Sequence, residues 1–442
     1  MEVKRAVFDA KAALALRPDR RVDDQLRTTE VLDPEVLQNL QAERSAAHAR
    51  FAMQTTPFYR ELYTAAGFTV DDLKDPAAFT ALPLVTKSDV REQPDRFRSS
   101  EATDSNAVMS ATGGSTGEPL HLLRDLRTPT RTLEWRLFRW WGVHPSDNIA
   151  IVQRKTKTGQ ETRRHNAVWW PSKRIRLDAF RMTDDSIREF FAAWERVGPR
   201  ILMGYVGAIA ELADFCVTHA ISLSPPKAIA VTAAPLMPAQ RQAIEEAFGA
   251  PVYDHYRSAE VPWLAGECRE QNGLHTFADL RRVEVLAADG RAAGADEVGE
   301  VVATDLTNRV FPLIRYRMGD RTSAIAQRCA CGVTLPRIRQ VAGRVTETLR
   351  LPNGQIIVGD PLGPVFSRVP HPARKYQLHQ HADYSIVVRC VPNPGARARA
   401  DVDAAIEELR SAVGHQVPVR LEIVEQIGHD GGKIRFITSE LA

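Results

Sequence analysis

The sequence has few cysteines, no long hydrophobic run and almost no net charge. Five cysteines among 442 residues are too few and too unevenly spaced for a disulfide framework, which favours a reducing compartment and, by default, the cytoplasm. No segment approaches the roughly 18 uninterrupted apolar residues of a membrane helix, and the charged N-terminus is unlike a signal peptide. The formal charge of +3 is dispersed rather than gathered in a basic stripe. We therefore expect neither a membrane nor a nucleic acid as partner.

The length of 442 residues suits two or three domains at roughly 150 residues each. Helical periodicity with Pro and Gly punctuation runs from Pro34 to about Arg98 and predicts a helical entry region over about residues 1–100. The residues expected on its buried face are Leu37, Leu40, Ala47 and Phe51.

Beyond Ser110 the pattern changes to alternating strands and helices, which predicts an α/β core. From Leu280 the segments read as antiparallel strands with a turn at Asp289-Gly290, so mixed sheets are expected. After Gly343 a hairpin at Asn353-Gly354 and a strand, helix and strand predict a small α+β domain. The predicted units are residues 1–342 and 343–442.

Four short segments carry groups suited to a nucleotide. The run SATGGSTGEPL offers backbone N–H and hydroxyl donors to phosphate, although such a run is also typical of a flexible turn. It lacks the ending of a Walker loop, which disfavours a P-loop enzyme. In DHYRSAE, Glu260 is either a Mg²⁺ ligand or a solvated charge.

The other two segments are equally ambiguous alone. In FPLIRYRMGD, Asp320 follows a glycine that we expect to end a strand, where its carboxylate either accepts both ribose hydroxyls or caps a turn. In HDGGKIRFIT, the cation of Lys433 either reaches a developing negative charge or stays hydrated.

Together these segments resemble the motifs of adenylate-forming enzymes, specifically the phenylacetate-CoA ligase and capsule-biosynthesis-like branch. TGGSTGEP resembles the family's Thr-Ser-Gly-Thr-Thr-Gly-Lys-Pro loop, YRSAE its Tyr-Gly-x-x-Glu motif, and RYRMGD its Arg-Tyr-Arg-x-x-Asp motif. Gly343-Arg344 is similar to the hinge, and Gly432-Lys433 to the C-terminal Gly-Lys. The resemblance spans roughly residues 35 to 440. It implies a large N-terminal domain that binds ATP and acid, and a mobile C-terminal lid.

The resemblance also implies a two-step reaction. A carboxylate attacks the α-phosphorus of ATP, pyrophosphate leaves, and the acyl-adenylate passes to a second nucleophile, usually the thiol of coenzyme A. Glu260 would hold Mg²⁺, Asp320 the ribose and Lys433 the developing charge, with Arg344 near the hinge. The phosphate loop residues would be Thr112, Gly114, Ser115, Thr116 and Gly117. The residues around the adenine would be Ala233, Ala234, Pro235, Asp254, His255, Tyr256, Arg257 and Ser258.

Several positions depart from the family pattern. Gly113 and Glu118 replace a serine and a lysine of the phosphate loop, which removes one donor and reverses one charge. Thr346-Glu347 stands where the branch has Asp-Asp, which weakens the case for hinge rotation and for coenzyme A. Arg257 replaces the motif glycine, and its guanidinium points either to the substrate carboxylate or to solvent.

A second constellation has the donors of a closed zinc site. Three thiols and one imidazole form the set that structural Zn²⁺ prefers. The candidate ligands are Cys268, His275, Cys329 and Cys331. Ordinary reduced cysteines are the alternative, and members of the branch that carry both halves of the site favour zinc.

The acid is the least defined partner. Tyr205, His255 and Arg257 are candidates to contact it, and the pairs Trp140-Trp141 and Trp169-Trp170 would suit a flat ring, although core packing is the commoner role of such aromatics. The cationic stretch from Gln153 to Asn166 is either a docking site for coenzyme A or a carrier protein, or a solvated loop.

Three hypotheses stay open from the sequence. The first is an AMP-forming ligase, most simply for an aryl acid and coenzyme A. The second keeps adenylation but passes the acyl group to an amine, a phenol, an inorganic anion or a carrier protein. The third is a descendant that binds nucleotide without catalysis.

Overall fold

The structure is a computed structural model that describes most of the chain. The described residues are 2–111, 120–153, 166–167, 169–179, 181–344, 348–353, 356–358, 373–392, 398–425, 427 and 437–441. The phosphate loop at 112–119, most of the cationic stretch, the hinge pair Thr346-Glu347 and Lys433 lie outside them.

Helices dominate the N-terminal region, as predicted. The helices of the described residues are α1 (Glu2–Ala15), α2 (Arg17–Thr29), α3 (Pro34–Thr55), α4 (Pro57–Ala65), α5 (Lys87–Glu92), α6 (Thr130–Trp140), α7 (Asp184–Val197), α8 (Val206–Thr218), α9 (Pro238–Phe248) and α10 (Ala398–Ala412). Short 3₁₀ turns lie at Asp72–Lys74, Pro76–Ala81 and Pro94–Phe97. No described helix has the combination of length and apolar character that crossing a bilayer requires.

Helix α3 begins at Pro34 because Asp33 caps it. The Asp33 carboxylate accepts the N–H of Glu35, and proline at the first helical position needs no N–H partner. Leu37 and Phe51 are buried as predicted, but Ala47 is exposed. The prediction for Ala47 was wrong because the second half of the helix packs through other small residues. These are Ala46, Ala49 and Ala52.

The strands are short and numerous. They are β1 (Ala107–Ala111), β2 (His121–Asp125), β3 (Ile149–Gln153), β4 (Arg174–Asp178), β5 (Ile201–Tyr205), β6 (Ala228–Thr232), β7 (Val252–Tyr256), β8 (Ala265–Glu267), β9 (Leu274–Thr276), β10 (Arg281–Leu286), β11 (Gly299–Asp305), β12 (Tyr316–Thr322), β13 (Ala324–Ile325), β14 (Arg337–Ile338), β15 (Ala342–Arg344), β16 (Thr348–Arg350), β17 (Ile356–Val358), β18 (Ala373–Gln380), β19 (Ile386–Pro392), β20 (Val419–Ile423) and β21 (Ile437–Ser439).

The largest sheet is mixed, as predicted. Its nine described strands run in the order β13-β14-β9-β8-β7-β6-β5-β3-β4, parallel from β7 to β4 and antiparallel from β7 to β13. Four strands of the parallel half, β3, β5, β6 and β7, are buried along most of their length, as expected where helices cover both faces, whereas the edge strand β4 is buried only at Leu177.

Helix α7 shows how local sequence sets these elements. Thr183 and Ser186 form a reciprocal capping box at its start, and Gly198 ends it in the left-handed conformation. Apolar residues at helical spacing then turn one face toward the core. They are Ile187, Phe190, Phe191 and Trp194.

A second sheet, β10-β11-β12-β15, is antiparallel, and Asp289-Gly290 forms the predicted turn, with φ of 84° at Gly290. Gly319 does not end its strand, contrary to prediction. With φ of 73° it produces an irregularity within β12, and the strand continues to Thr322. A bulge of this kind re-aims the next side chain, which is Asp320.

The C-terminal residues form a separate core. Strands β16 and β17 pair as the predicted hairpin, and β20-β19-β18-β21 form a mixed sheet beside α10. The buried residues of the hydrophobic cluster in this region lie between Leu349 and Ile437 in the sequence. The boundary at 342/343 itself stays a prediction.

A buried ionic network fixes the entry helices to the rest of the chain. Arg136 on α6 is fully buried; its Nη1 donates to Asp279 Oδ1 over 3.0 Å and its Nη2 to the carbonyl of Leu26 over 3.2 Å. Thr29 also donates to Asp279. Burial opposes ionisation of Asp279, but the charge and hydrogen bonds of Arg136 and the hydroxyl of Thr29 hold the pKa of Asp279 below its usual value.

Asp279→Asn should lower the free energy of unfolding by about 3 kcal/mol because the buried guanidinium of Arg136 loses one of its two described anionic partners and keeps Glu30, 3.2 Å from its Nε. Urea denaturation at pH 7 measures this. The matched control is Asp296→Asn, which breaks the exposed 2.6 Å pair with Arg339 and should cost less than about 1 kcal/mol. Equal effects of the two substitutions would contradict the assignment.

The same variant predicts a pH dependence. Since the folded pKa of Asp279 is depressed, its contribution is fully present above the unfolded value of about 3.9 and is lost as the pH falls through the folded pKa. The stability difference between the parent and Asp279→Asn should therefore shrink in acid. A difference that stays constant down to the acid limit of folding would exclude this origin.

Candidate active site

The predicted adenine residues converge at one edge of the large sheet. Strands β5, β6 and β7 are parallel neighbours, so their carboxyl ends meet at the same edge, where α/β proteins bind ligands. Tyr205 ends β5, and Ala233 follows β6 with φ of 77°. The Thr232 hydroxyl donates to the carbonyl of His255 over 2.8 Å. The segment Ala233-Ala234-Pro235 is therefore held beside the end of β7.

The RYRMGD segment meets the end of β7 through one hydrogen bond. The Tyr256 hydroxyl donates to Asp320 Oδ2 over 2.5 Å. Asp320 lies at the irregularity of β12 and pairs in register with Arg344 of β15. The structure thus brings together three residues that the motifs predicted: Tyr256, Asp320 and the backbone of Arg344.

Glu260 lies in a turn beside the base of the phosphate loop. The Ser258 hydroxyl accepts the N–H of Val261 over 2.9 Å and closes this turn. Glu260 lines one cavity with Ser110, Asp305 and Asn308. Ser110 belongs to β1, and the β1-β2 hairpin ends in the pair Ala111↔His121. The residues between these two strands are the predicted phosphate loop.

Part of the predicted site lies outside the described residues. These positions are Thr112, Gly114, Ser115, Thr116, Gly117 and Lys433. Their roles stay predictions, as does that of the Arg344 side chain.

Asp254 was expected beside the adenine, and it lies in a buried polar group. Burial, followed by the nearby Glu267 carboxylate, raises the pKa of Asp254 to about 7. Glu267 accepts both the Asp254 N–H over 2.7 Å and a bidentate contact from Arg241.

Gln340 completes this group, and nothing in the sequence signals it. Its amide donates to Asp254 Oδ2 over 3.1 Å and to the carbonyl of Leu236 over 2.7 Å. The Gln340 side chain therefore connects the end of β7 to the segment that follows β6, and both of these carry predicted adenine residues.

His255 is buried between aromatic rings. It stacks on Trp263 with ring centroids 5.1 Å apart and lies 6.1 Å from Trp141, and within the described part of the chain neither ring nitrogen has a hydrogen-bond partner. Burial lowers the pKa of His255 to about 3, so the ring is neutral at pH 7. Arg257 is exposed, and its guanidinium lies 5.0 Å from the centroid of the Trp263 ring. Contact of either residue with the acid stays a prediction.

The tryptophan pairs do not form an aromatic pocket in the described structure. Trp141 is buried, stacks on Tyr253 at 5.4 Å and donates to the carbonyl of Glu267 over 2.8 Å. Trp169 lies under the guanidinium of Arg174 at 3.8 Å, and Trp170 is exposed. Trp141 therefore packs in the core, which is the alternative to its lining a pocket for a flat ring.

The four predicted zinc ligands come together away from this edge. Cys268 follows β8, His275 lies in β9, and Cys329 and Cys331 lie in the loop between β13 and β14. The Sγ atoms of Cys268 and Cys329 are 3.6 Å apart, and Cys331 Sγ is 3.4 Å from His275 Nε2. All four ligand atoms lie within 4.8 Å of one another.

The surroundings of this cluster suit metal ligation. His275 Nδ1 faces the carbonyl of Leu335 at 2.9 Å, which orients Nε2 toward the thiols. Burial lowers the pKa of His275 to about 4, so its imidazole is neutral. The backbone N–H of Val333 donates to Cys331 Sγ. The donor set fits tetrahedral Zn²⁺ with no open position.

Comparisons with known proteins agree with the geometry, although no family model matches the chain. The chain is 22% identical to the CapK protein of Staphylococcus aureus over 420 residues, which cover 91% of this chain and 89% of that protein. It is 25% identical to a phenylacetate-coenzyme A ligase of Escherichia coli over 364 residues, which cover 80% and 81% of the two chains.

Among solved structures, a 2-hydroxyisobutyryl-CoA ligase in its postadenylation state superposes with a TM-score of 0.79. The match has 20% identity and covers 93% of this chain and 91% of that chain. At this identity the likeness shows the fold, an α/β architecture shared with acyl-adenylate-forming ligases. Together, the relatives named above and the motif residues gathered at one sheet edge support the adenylate-forming superfamily and, within it, the branch of the phenylacetate-CoA ligases and CapK.

Proposed function

We propose that this chain is an AMP-forming ligase that activates a carboxylic acid with ATP and passes the acyl group to coenzyme A. Curated relatives that cover about four fifths of the chain are phenylacetate-coenzyme A ligases. The observation that carries the proposal is the 2.5 Å bond from Tyr256 to Asp320, which joins two family motifs beside the Ala233-Pro235 segment. Tyr256 then offers an aromatic ring, and Asp320 a carboxylate for the ribose, at the same place.

In the first step, a carboxylate attacks the α-phosphorus of ATP and pyrophosphate leaves. An anion has to approach a polyanion, so catalysis depends on positioned cations and N–H donors. Glu260 fits a magnesium ligand because it lines a cavity together with Ser110, which precedes the predicted phosphate loop, and Mg²⁺ prefers oxygen donors such as those of glutamate and serine. Bound Mg²⁺ would neutralise phosphate charge.

The other roles follow the motif residues. Asp320 accepts the ribose hydroxyls, with Tyr256 fixing its carboxylate. Lys433 supplies a cation to the α-phosphate, and Ser115, Thr116 and Gly117 donate to the leaving pyrophosphate. Arg344, paired with Asp320 in the sheet, supports the nucleotide at the start of the hinge.

For the acid we propose an aryl carboxylate next to Tyr205 and Arg257. Tyr205 ends β5 beside Thr232 of β6, so it lies next to the proposed adenine segment. The guanidinium of Arg257, which lies over the Trp263 ring, can meet an anion from this side. A different acceptor remains the second candidate, since Thr346-Glu347 departs from the hinge of the branch. Product analysis with and without coenzyme A distinguishes the two.

We further propose that Cys268, His275, Cys329 and Cys331 hold a structural zinc ion. A closed four-ligand site offers no position for substrate, so its role is to join the β8-β9 hairpin to the loop between β13 and β14. Reduced thiols of this kind persist in the cytoplasm, which is the location we propose.

Glu260→Gln and Lys433→Ala should each slow ATP-pyrophosphate exchange about a hundredfold or more, because each removes charge stabilisation from adenylation. Exchange is measured with an acid selected by pyrophosphate release from a panel of carboxylic acids. Glu246→Gln and Lys74→Ala are the matched controls, since both side chains are exposed on elements away from the edge. Exchange at the parental rate in Lys433→Ala would exclude the role of this lysine.

Tyr256→Phe should raise KM for ATP about tenfold, because a hydrogen bond to a charged group contributes about 1.5 kcal/mol. The reason is that Asp320 loses the donor that fixes its carboxylate. Tyr63→Phe serves as control, since its buried hydroxyl has no hydrogen-bond partner among the described residues. An unchanged KM for ATP in Tyr256→Phe would argue against ribose binding by Asp320.

Protein purified without chelator should retain about one equivalent of zinc after dialysis against a mild chelator, and Cys331→Ser should lose it and unfold at lower temperature. Elemental analysis and thermal denaturation measure the two effects. Cys216→Ser, at a buried thiol outside the cluster, should keep its zinc. Less than about half an equivalent in the parent would count against the site.

A further inference from the structure

A second group of metal-ligating side chains lies in the C-terminal sheet. His379 of β18, His381 just after it and Glu440 just after β21 are its members. The two strands are parallel and pair His379 with Thr438 and Gln380 with Ser439. Alternate residues of a strand share a face, so the two histidines project from one side, and continued register brings Glu440 opposite His381.

The three side chains converge on one oxygen. His379 Nε2 is 3.0 Å and His381 Nδ1 is 3.2 Å from Glu440 Oε1. One ligand atom from each residue lies within 4.8 Å of the others. The imidazole rings are 4.5 Å apart and nearly perpendicular, at 83°, so both nitrogens can face a common point.

Neighbouring groups hold two of these ligands in place. The Thr438 hydroxyl donates to the carbonyl of Leu378, so its oxygen is left to accept the Nδ1–H of His379, at 2.8 Å. The Ala382 N–H donates to Glu440 Oε2 over 2.9 Å. A histidine whose second nitrogen donates to a neighbour is the usual arrangement around protein metal sites.

This arrangement requires a positive charge between His379 and Glu440. With the proton on Nδ1, a neutral His379 turns the lone pair of Nε2 toward a carboxylate oxygen 3.0 Å away, and two lone pairs at that distance repel. A cation between them removes the repulsion, either a second proton on the imidazole or a metal ion.

We propose that His379, His381 and Glu440 bind one divalent transition-metal ion of the Zn²⁺ class. Two imidazoles and one carboxylate favour Zn²⁺ or Cu²⁺ over Mg²⁺ or Ca²⁺, which take oxygen ligands. The side chains are 26%, 42% and 45% exposed, so solvent completes the coordination.

Bound metal would fasten β21 to β18. Since Lys433 precedes β21 in the chain, the site would restrain the strand into which the lysine segment leads. Metal binding itself does not depend on the proposed ligase activity, and it can be tested without substrate.

The test is calorimetric titration of the full chain with Zn²⁺ at pH 8, after the cysteine site has been filled and loosely bound metal removed by a mild chelator. The parent should bind one further equivalent. His381→Ala and Glu440→Gln should weaken this binding at least tenfold, and Thr438→Val by about 10- to 100-fold, since it removes only the partner of His379. His415→Ala, at an exposed histidine of the same region, should bind like the parent.

A second readout separates the two metal sites. With Co²⁺, the cysteine site should give intense thiolate charge-transfer absorption that Cys331→Ser abolishes, whereas the further equivalent should lack it and persist in Cys331→Ser. Glu440→Gln preserves the shape of its side chain and guards against a folding artefact. The proposal would be overturned if the parent bound no further equivalent of Zn²⁺ at pH 8, or if the parent and Glu440→Gln bound it equally. The positive charge between His379 and Glu440 would then be a proton on the imidazole.

Discussion

The proposed active site depends on a constraint of parallel strands: β5, β6 and β7 must end at the same edge of their sheet. Residues far apart in sequence become neighbours there because the strands that carry them are adjacent and parallel. The hydrogen bond from Tyr256 to Asp320 extends that edge to the second sheet, because Asp320 belongs to β12. Two sheets with different strand directions thereby contribute to the proposed nucleotide site.

Buried polar groups stabilise this edge from inside. Asp254 lies below the edge with its pKa raised to about 7, while Glu267 is paired with Arg241. Burial raises the pKa of both carboxylates, but the Arg241 guanidinium opposes the rise at Glu267, whereas the Glu267 charge adds to the rise at Asp254. A protonated Asp254 still accepts the amide of Gln340, which keeps the following segment in place. Arg136 stabilises the entry helices in a comparable way, because from α6 it binds both the Asp279 carboxylate and the carbonyl of Leu26 on α2.

The sequence predicted elements and motifs better than it predicted exact geometry. Strand and helix periodicity identified the α/β core because burial imposes those periods directly. The cysteine cluster was predictable because three thiols and an imidazole are a restricted ligand set. Gly319 misled the prediction, since a glycine with positive φ permits either a strand end or an irregularity within the strand, and only pairing with β11 and β15 decides between them. Gln340 and the His379-His381-Glu440 group carry no motif, because their placement follows from strand register alone.

The ladder between β12 and β15 also limits how the proposed second step can occur. Asp320 pairs with Arg344, and Arg321 pairs with Ala342, so the chain is tied to the ribose-binding residue up to Arg344. Rotation of the C-terminal unit would therefore have to begin after this residue, and the nucleotide-binding strand would stay fixed while Lys433 is withdrawn. A hinge placed directly after a paired strand lets one part of the site move without releasing the adenylate. In that arrangement the departure at Thr346-Glu347 bears on the rotation, whereas the proposed ribose contact at Asp320 is held by the paired strands.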